Sequence, residues 1–415
     1  MTPTTPPPSA PRPIRTAATL VVLRDGPEGL EVLMLRRAEK ANDQNSGASV
    51  FPGGMVDAHD RLLHPLCAGL NDAAASARLG LPEGGLDFHA AAIRECFEEA
   101  GLLLANDAQG RPVELLALTS GELDAMRAAA ERSTDALLAL CAERGWCLAV
   151  DRIAYFSHWL TPPGMPRRFD TRFFAAAMPA GQDVRPDGRE TVEHLWLKPA
   201  DAVSPERDLK LLNVTRRVLE HLATFARVDD FMAHARALRR IPLTMPRLAD
   251  GPKGRRPVNM EEPAYDEIGH LDPDGQGGGR YALEAGLVTP LSARVLRVVH
   301  DSGLNSFLIG GTEGWALINR APGDAAHKGP LRAAAPGPVR WGLAADAASP
   351  TAAPQPLDLG GAPLHVLGAQ GFLLAEERML FTGDATTTAI ETDHRVEWIV
   401  PARGFMRRPT SALAD

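Results

Sequence analysis

The stretch RECFEEAGL (94–102) sets three carboxylates, Glu95, Glu98 and Glu99, within five residues and closes near a glycine. On a helix, positions three and four apart share a face, so the three acids point the same way. Like charges at that spacing repel by roughly 0.2–0.5 kcal/mol per pair. One reading is an ordinary solvated face. The other is chemical, because an oxygen-only face is what a hard divalent cation takes as ligands, with water and phosphate oxygens filling its other positions. Arg94 can hold a glutamate through a bidentate pair. Gly101 can end the helix, and upstream FPGG (51–54) offers Gly53 and Gly54 for a tight turn.

Something must position these groups. The chain has 415 residues with 45% hydrophobic content, enough for two domains with proper cores. Its formal net charge of -8 argues against broad, charge-driven nucleic-acid binding. Cys67, Cys96, Cys141 and Cys147 form no CxxC pair and have no histidine at zinc-ligand spacing, so a reduced, cytoplasmic protein is expected. No apolar run is long enough to span a membrane, and neither terminus matches a targeting signal.

Residues 1–13 are proline-rich and read as a disordered tail. TAATLVVLRD (16–25) and LEVLMLRR (30–37), with GPEG between them, read as a hairpin, and GASVFPGGMVDAHD (47–60) as a strand ending in a turn. Residues 89–104 read as an amphipathic helix running into an apolar stretch, and 122–145 as helical. Strands are expected over 152–162, 167–179 and 191–199, then helices to about 239. Residues 236–279 are rich in Pro, Gly and charge and read as a linker. A second unit follows over 280–405, with strands such as ARVLRVVHD, NSFLIGG and GWALINR.

RECFEEAGL resembles the core of the Nudix box, with Cys96 at an apolar position and FPGG supplying the glycine turn that starts the box. The box normally carries a glutamate six positions after its glycine and then a short spacer. Here that position is Asp60, and residues 61–93 intervene before Arg94. FPGGMVDAHD, a long insert and AAIRECFEEAGLLLA are similar to the Nudix motif 19 type of CoA and acyl-CoA diphosphatase. The resemblance continues through SHWLTPPGMPRRFDTRFFAAAMP (157–179) and TVEHLWLKPADAV (191–203), and so covers about residues 14–230. The CoA-directed signature ahead of the turn is met at Gly47, while its arginine position holds Asp43.

The resemblance implies an α/β/α sandwich over 14–235 and metal-assisted hydrolysis of a diphosphate linkage with Mg²⁺ or Mn²⁺. It implies Glu95, Glu98 and Glu99 as metal ligands, with Arg94, Glu95 and Glu98 as the catalytic set. Gly53, Gly54 and Arg168 are the expected substrate contacts. The implied substrate is CoA or acyl-CoA, giving 3′,5′-ADP and phosphopantetheine products. The alternatives are a nucleotide-sugar or dinucleotide diphosphatase, or a non-catalytic nucleotide sensor with a C-terminal interaction domain. Glu190 or Glu193 could add a carboxylate, though surface charge explains either. Arg167 and Arg168 beside Asp170 suit a phosphate or adenine-side contact or a strand-edge ion pair equally, and His158 and Trp159 suit the pocket or the core, the core being favoured. The insert at 61–88 is expected to leave the fold as a surface excursion, helical around LNDAAASARLG.

NSFLIGGTEGWALINRAPGD (305–324) and FLLAEERMLFTGDAT (372–386) resemble the metallo-β-lactamase fold, with Asp384 at the position of its metal-bridging aspartate. No histidine cluster follows VRWGLAADAASP (339–350). His300, His327, His365 and His394 are scattered, so a short, degenerate, zinc-free α/β unit is expected.

Overall fold

The structure is a computed structural model that describes residues 13–41, 45–319, 331, 333–343, 356–360, 363–367, 371–383 and 395–409. It divides into two compact units, Met1–Thr161 with Pro166–Thr244, and Pro162–Met165 with Met245–Asp415. Most of the proline-rich tail, Asp43, His327, Asp384 and His394 lie outside the described residues.

In the first unit β1 (Ile14–Gly26) and β2 (Gly29–Arg37) form the expected hairpin, closed where Gly26 faces Gly29. β3 (Ser49–Val50) and β4 (Gly53–Met55) flank Phe51 and Pro52. There follow 3₁₀ turns over Ala58–Leu66, α1 (Asp72–Leu79), α2 (Gly85–Ala100), β5 (Ala105–Asn106), α3 (Ser120–Arg132) and α4 (Thr134–Arg144). The unit continues with β6 (Cys147–Leu148), β7 (Ala154–Leu160), β8 (Arg168–Ala177) and β9 (Thr191–Leu197). It ends with α5 (Pro199–Val203), α6 (Asn213–Leu222), α7 (Val228–Ala237) and β10 (Leu243–Thr244).

The main sheet runs β10-β7-β8-β1-β2-β3, with β4 beside β1 and β9 beside β2. β1 lies parallel to β8 from Ile14 opposite Arg168 to Leu23 opposite Ala177. Because strand side chains alternate, Ala18, Leu20 and Val22 pack on one face with Ile93 and Phe97 of α2. Val21 and Leu23 pack on the other with Leu219, Leu222 and Phe231 of α6 and α7. Helices on both faces of one sheet make the expected sandwich. The single helix expected over 122–145 is two, because Ser133 turns extended and its side chain accepts a hydrogen bond from Asp135 N to start α4.

The insert departs from expectation. Its helical part is present as α1, capped by Asn71 and closed by Gly80. The segment is not a surface excursion, however, since Leu63, Leu66, Ala75 and Leu79 join the core that holds Phe97 and Leu20. Leu63 and Leu66 of the turns and Ala75 and Leu79 of α1 face inward, and removing them from water outweighs leaving the segment free.

The stretch expected as a linker is also folded. Residues 245–279 form β11 (Arg247–Ala249), β12 (Arg256–Val258) and α8 (Tyr265–Leu271), and Ala249, Val258, Ala264 and Ile268 share a small core. The apolar residues are few, so the Pro, Gly and charge around them dominated the composition. The rest of the second unit holds two five-stranded sheets. One is β13 (Val288–Pro290), β14 (Val295–Val299), β15 (Asn305–Gly311), β16 (Gly314–Ile318) and β17 (Val339–Leu343). The other is β18 (Leu357–Asp358), β19 (Pro363–Val366), β20 (Phe372–Leu374), β21 (Met379–Thr382) and β22 (Trp398–Pro401). Their inner faces meet in one core, where Phe307 and Phe381 stack edge to face with centroids 5.2 Å apart.

A core role for the insert has a measurable consequence. Leu63→Ala should lower unfolding stability by about 2–5 kcal/mol in urea titration, whereas a residue on a surface excursion would change it by no more than about 0.5 kcal/mol.

Candidate active site

Arg94 is the centre of the site. It is 7% exposed, and its Nε and Nη2 donate to both carboxylate oxygens of Asp60, at 2.7 and 3.1 Å. Nη2 also donates to Met55 O at 3.0 Å, and Nη1 to Glu95 Oε1 at 2.8 Å and Glu98 Oε2 at 3.3 Å. The bidentate partner is therefore Asp60, not one of the glutamates the sequence suggested. Asp60 is fully buried, and its Oδ2 also accepts Asp57 N in the capping box that starts the 3₁₀ turns. The sequence sign of this role was that Asp60 stands six positions after Gly54, where the box normally carries a glutamate.

The glycine turn lies against the same helix face. β4 pairs with β1, Gly54 opposite Ala18 and Gly53 opposite Thr19. A Cβ on Gly54 would come within 2.5 Å of the Glu95 carboxylate, so no larger residue fits without moving it. Gly53 N donates to Glu99 Oε2 at 3.0 Å. Gly101, at φ +72°, closes α2 in the left-handed region, its N–H on Phe97 O.

These carboxylates are crowded and short of water. Burial pushes Glu95 above the usual carboxylate range against the pull of Arg94. Burial likewise raises Glu98 to about 7, with Arg94 opposing and Glu95 adding to the rise. Glu99 rises to about 8 through burial, opposed by the Gly53 N–H. Burial works against the charge of Arg94 too, but Asp60, Glu95 and Glu98 outweigh it and raise its pKa.

A cleft of about 310 Å³ opens beside Arg94 and Glu98, walled by Asp57, His59 and the α3–α4 connection around Arg132 and Ser133. Glu190 is near enough for its charge to act on both Glu95 and Glu99, whereas Glu193 pairs with Arg36 at 3.5 Å. Arg168 is not brought to the cleft. It pairs with Ile14 in register, and its Nε donates to Thr161 O at 3.0 Å. The β8 residue level with Gly54 is Arg172, four residues and roughly 13 Å further along the strand. Asp170 is bonded to His158, at 2.6 Å, and to Arg172, not to Arg167 or Arg168. Trp159 packs against the core on the α6–α7 side.

Among the described residues no three acidic, histidine or cysteine side chains are already gathered as metal ligands. Arg94 draws Glu95 and Glu98, and Gly53 N holds Glu99. The donor set itself, oxygen-only and confined to one and a half turns of helix, fits a hard divalent cation.

Residues 64–211 match the model of the NUDT19 Nudix domain, a span that begins after the glycine turn. The chain is 32% identical over 219 residues to the acyl-coenzyme A diphosphatase NUDT19 of Gallus gallus, covering 43% of this chain and 56% of that protein. To the Homo sapiens protein of the same name it is 31% identical over 237 residues, covering 49% and 63%. The chain thus spans less than two thirds of the curated relatives it matches. A crystal structure of a Nudix hydrolase from Alicyclobacillus acidocaldarius is 29% identical, with 53% of this chain and 96% of that one covered and a TM-score of 0.45.

The raised carboxylates fix the sign of a pH effect. Glu98 and Glu99, at about 7 and 8 when folded against 4.5 unfolded, hold protons that the unfolded chain has released. The stability they leave intact below 4.5 is lost as pH rises through 7 and 8. Buried His89, lowered from 6.5 to about 4, acts oppositely, but only below 6.5. Metal-free protein should therefore lose thermal stability between about pH 6.5 and 8, and Glu99→Gln should flatten that slope in a pH series of melting curves.

Proposed function

We propose, on the premise that the chain carries a Nudix domain of the NUDT19 type, that it hydrolyses the diphosphate linkage of CoA or acyl-CoA with a divalent cation. The observation that carries this reading is the face of α2, where Glu95, Glu98 and Glu99 gather around Arg94 and against the Gly53–Gly54 turn. Glu95, Glu98 and Glu99 would hold Mg²⁺ or Mn²⁺. When bound, the ion would acidify a water and offset charge on the phosphoryl oxygens.

The chain's own groups have separate tasks. Arg94, locked by Asp60, holds Glu95 and Glu98 at fixed positions on the helix. Glu98 faces the cleft, where its carboxylate is placed to take a proton from the attacking water. Gly54 has no side chain, so its backbone can lie directly against the Glu95 carboxylate. Water adds across the P–O–P bridge, one phosphate leaving on 3′,5′-ADP and the other on (acyl-)phosphopantetheine.

The acyl-CoA diphosphatase relatives support the substrate class. Arg168 stands away from the cleft, so it is a weaker substrate contact than Gly53 and Gly54. All three box glutamates are present, which favours an enzyme over a nucleotide sensor. For the second unit, the pair of five-stranded sheets on one core supports the reading of a degenerate metallo-β-lactamase-like unit.

The test is a panel of CoA, acyl-CoAs, dinucleotides and nucleotide sugars with Mg²⁺ or Mn²⁺, read by mass spectrometry. 3′,5′-ADP should appear from the CoA compounds, and cleavage of the other classes alone would overturn the assignment. Glu98→Gln should reduce turnover by about 10²–10⁴-fold, with the far-ultraviolet circular dichroism unchanged.

A further inference from the structure

The last turn of α2 carries Glu98 and Glu99, and a helix cannot satisfy its own final carbonyls. Phe97 O accepts from Gly101 N, but the next three are met from outside the box. Glu98 O accepts Nη2 of Arg127 in α3 at 2.7 Å, Glu99 O accepts Oγ1 of Thr191 in β9 at 2.9 Å, and Ala100 O accepts Arg185 N at 2.8 Å. Arg127 is the unusual member. It is buried, no carboxylate forms an ion pair with it among the described residues, and its Nε has no hydrogen-bond partner. A buried guanidinium with one donor unsatisfied is an expensive way to satisfy one carbonyl. A hydroxyl does the same for Glu99. What only the guanidinium supplies is a full positive charge at the negative end of the helix, with Asp187, Asp124 and Glu131 also near enough to act on it.

We propose that Arg127 is a positioning residue for the glutamate-bearing turn. It pins the main chain at Glu98 while its charge offsets the crowding of Glu98 and Glu99, so both carboxylates stay available to one divalent ion. The inference rests on the metal-dependent reading of the site. It places a determinant of that site in α3, whose C-terminal end also walls the cleft.

The experiment compares Arg127→Met, Arg127→Lys and Thr191→Val in the full chain. It reads Mn²⁺ affinity by electron paramagnetic resonance, kcat and KM on the cleaved diphosphate, and hydrogen exchange of the 98–101 amides. Arg127→Met should weaken Mn²⁺ by about 10–100-fold and lower kcat at saturating Mn²⁺ more than it changes KM. Its 98–101 amides should exchange faster. Arg127→Lys, which keeps the charge, should recover most of the affinity, and Thr191→Val should loosen the turn with a smaller loss. Wild-type Mn²⁺ affinity in Arg127→Met would overturn the proposal, as would equal losses in the Met and Lys variants. Should Arg127→Met fail to fold, Arg127→Lys and Thr191→Val still decide: near-wild-type Mn²⁺ affinity in the Lys variant beside a measurable loss and faster 98–101 exchange in Thr191→Val supports it, and a Lys variant weaker than Thr191→Val, or no loss in Thr191→Val, overturns it. If the wild-type chain cleaves no diphosphate, the reaction assignment falls alone, because Mn²⁺ affinity and amide exchange still read the positioning.

Discussion

One buried ion pair, Arg94 with Asp60, holds together parts of the chain that are far apart in sequence. Removing Arg94 would leave Asp60 as a fully buried, uncompensated charge, at a cost of about 3–5 kcal/mol. The guanidinium joins the 3₁₀ turns through Asp60, the glycine turn through Met55 O and the helix through Glu95 and Glu98. Asp60 is held in turn by the capping box that begins at Asp57. The 33 residues between Asp60 and Arg94 can therefore be long without loosening the site, since both ends are fixed to the same side chain. Their own apolar side chains then pack where the excursion would otherwise have left solvent.

The parts of the site legible in the sequence were those set by local spacing. Three and four residues are one helical turn, so the shared face of Glu95, Glu98 and Glu99 followed from the string alone. Gly53 and Gly54 were legible because few other residues permit so close an approach. Contacts across the fold were not legible. Arg127 is 29 residues from Glu98, and Thr191 is 92 from Glu99. Arg168 was misleading for the opposite reason, because an arginine beside an aspartate in a strand says nothing about which end of the sheet the site occupies.

The second unit shows where composition fails as a guide. Residues 245–279 have the Pro, Gly and charge of a connector, yet Glu267 of α8 forms a buried pair with Arg297 of β14 at 2.5 and 2.7 Å. Glu267 also accepts Met406 N at 2.8 Å, which ties the end of the described chain to the same helix. Asp272 accepts the backbone N–H groups of Gln276, Gly277, Gly278 and Gly279, so the glycine-rich run folds around a carboxylate that this bonding holds below its usual range despite burial. A few polar anchors with satisfied bonds can order a stretch that offers little apolar surface.

Charge balance at this face of α2 in the first unit is unfavourable. Asp60, Glu95 and Glu98 meet at Arg94, Glu99 lies on the same turn of α2 against Gly53 N, and Glu190 adds to the potential. Arg37 lowers the pKa of Glu99 but only partly opposes its burial. Two carboxylates can relieve the surplus by taking protons near neutrality, or all can stay ionised around a divalent ion. A diphosphate would worsen the surplus if it entered the cleft beside Glu98 by itself. If a divalent ion and a diphosphate both bound at this helix face, as proposed, each would offset the other's charge. On that account the anion cluster is costly as it stands, and on the proposed reading a divalent cation would relieve the repulsion that Arg94 leaves uncompensated.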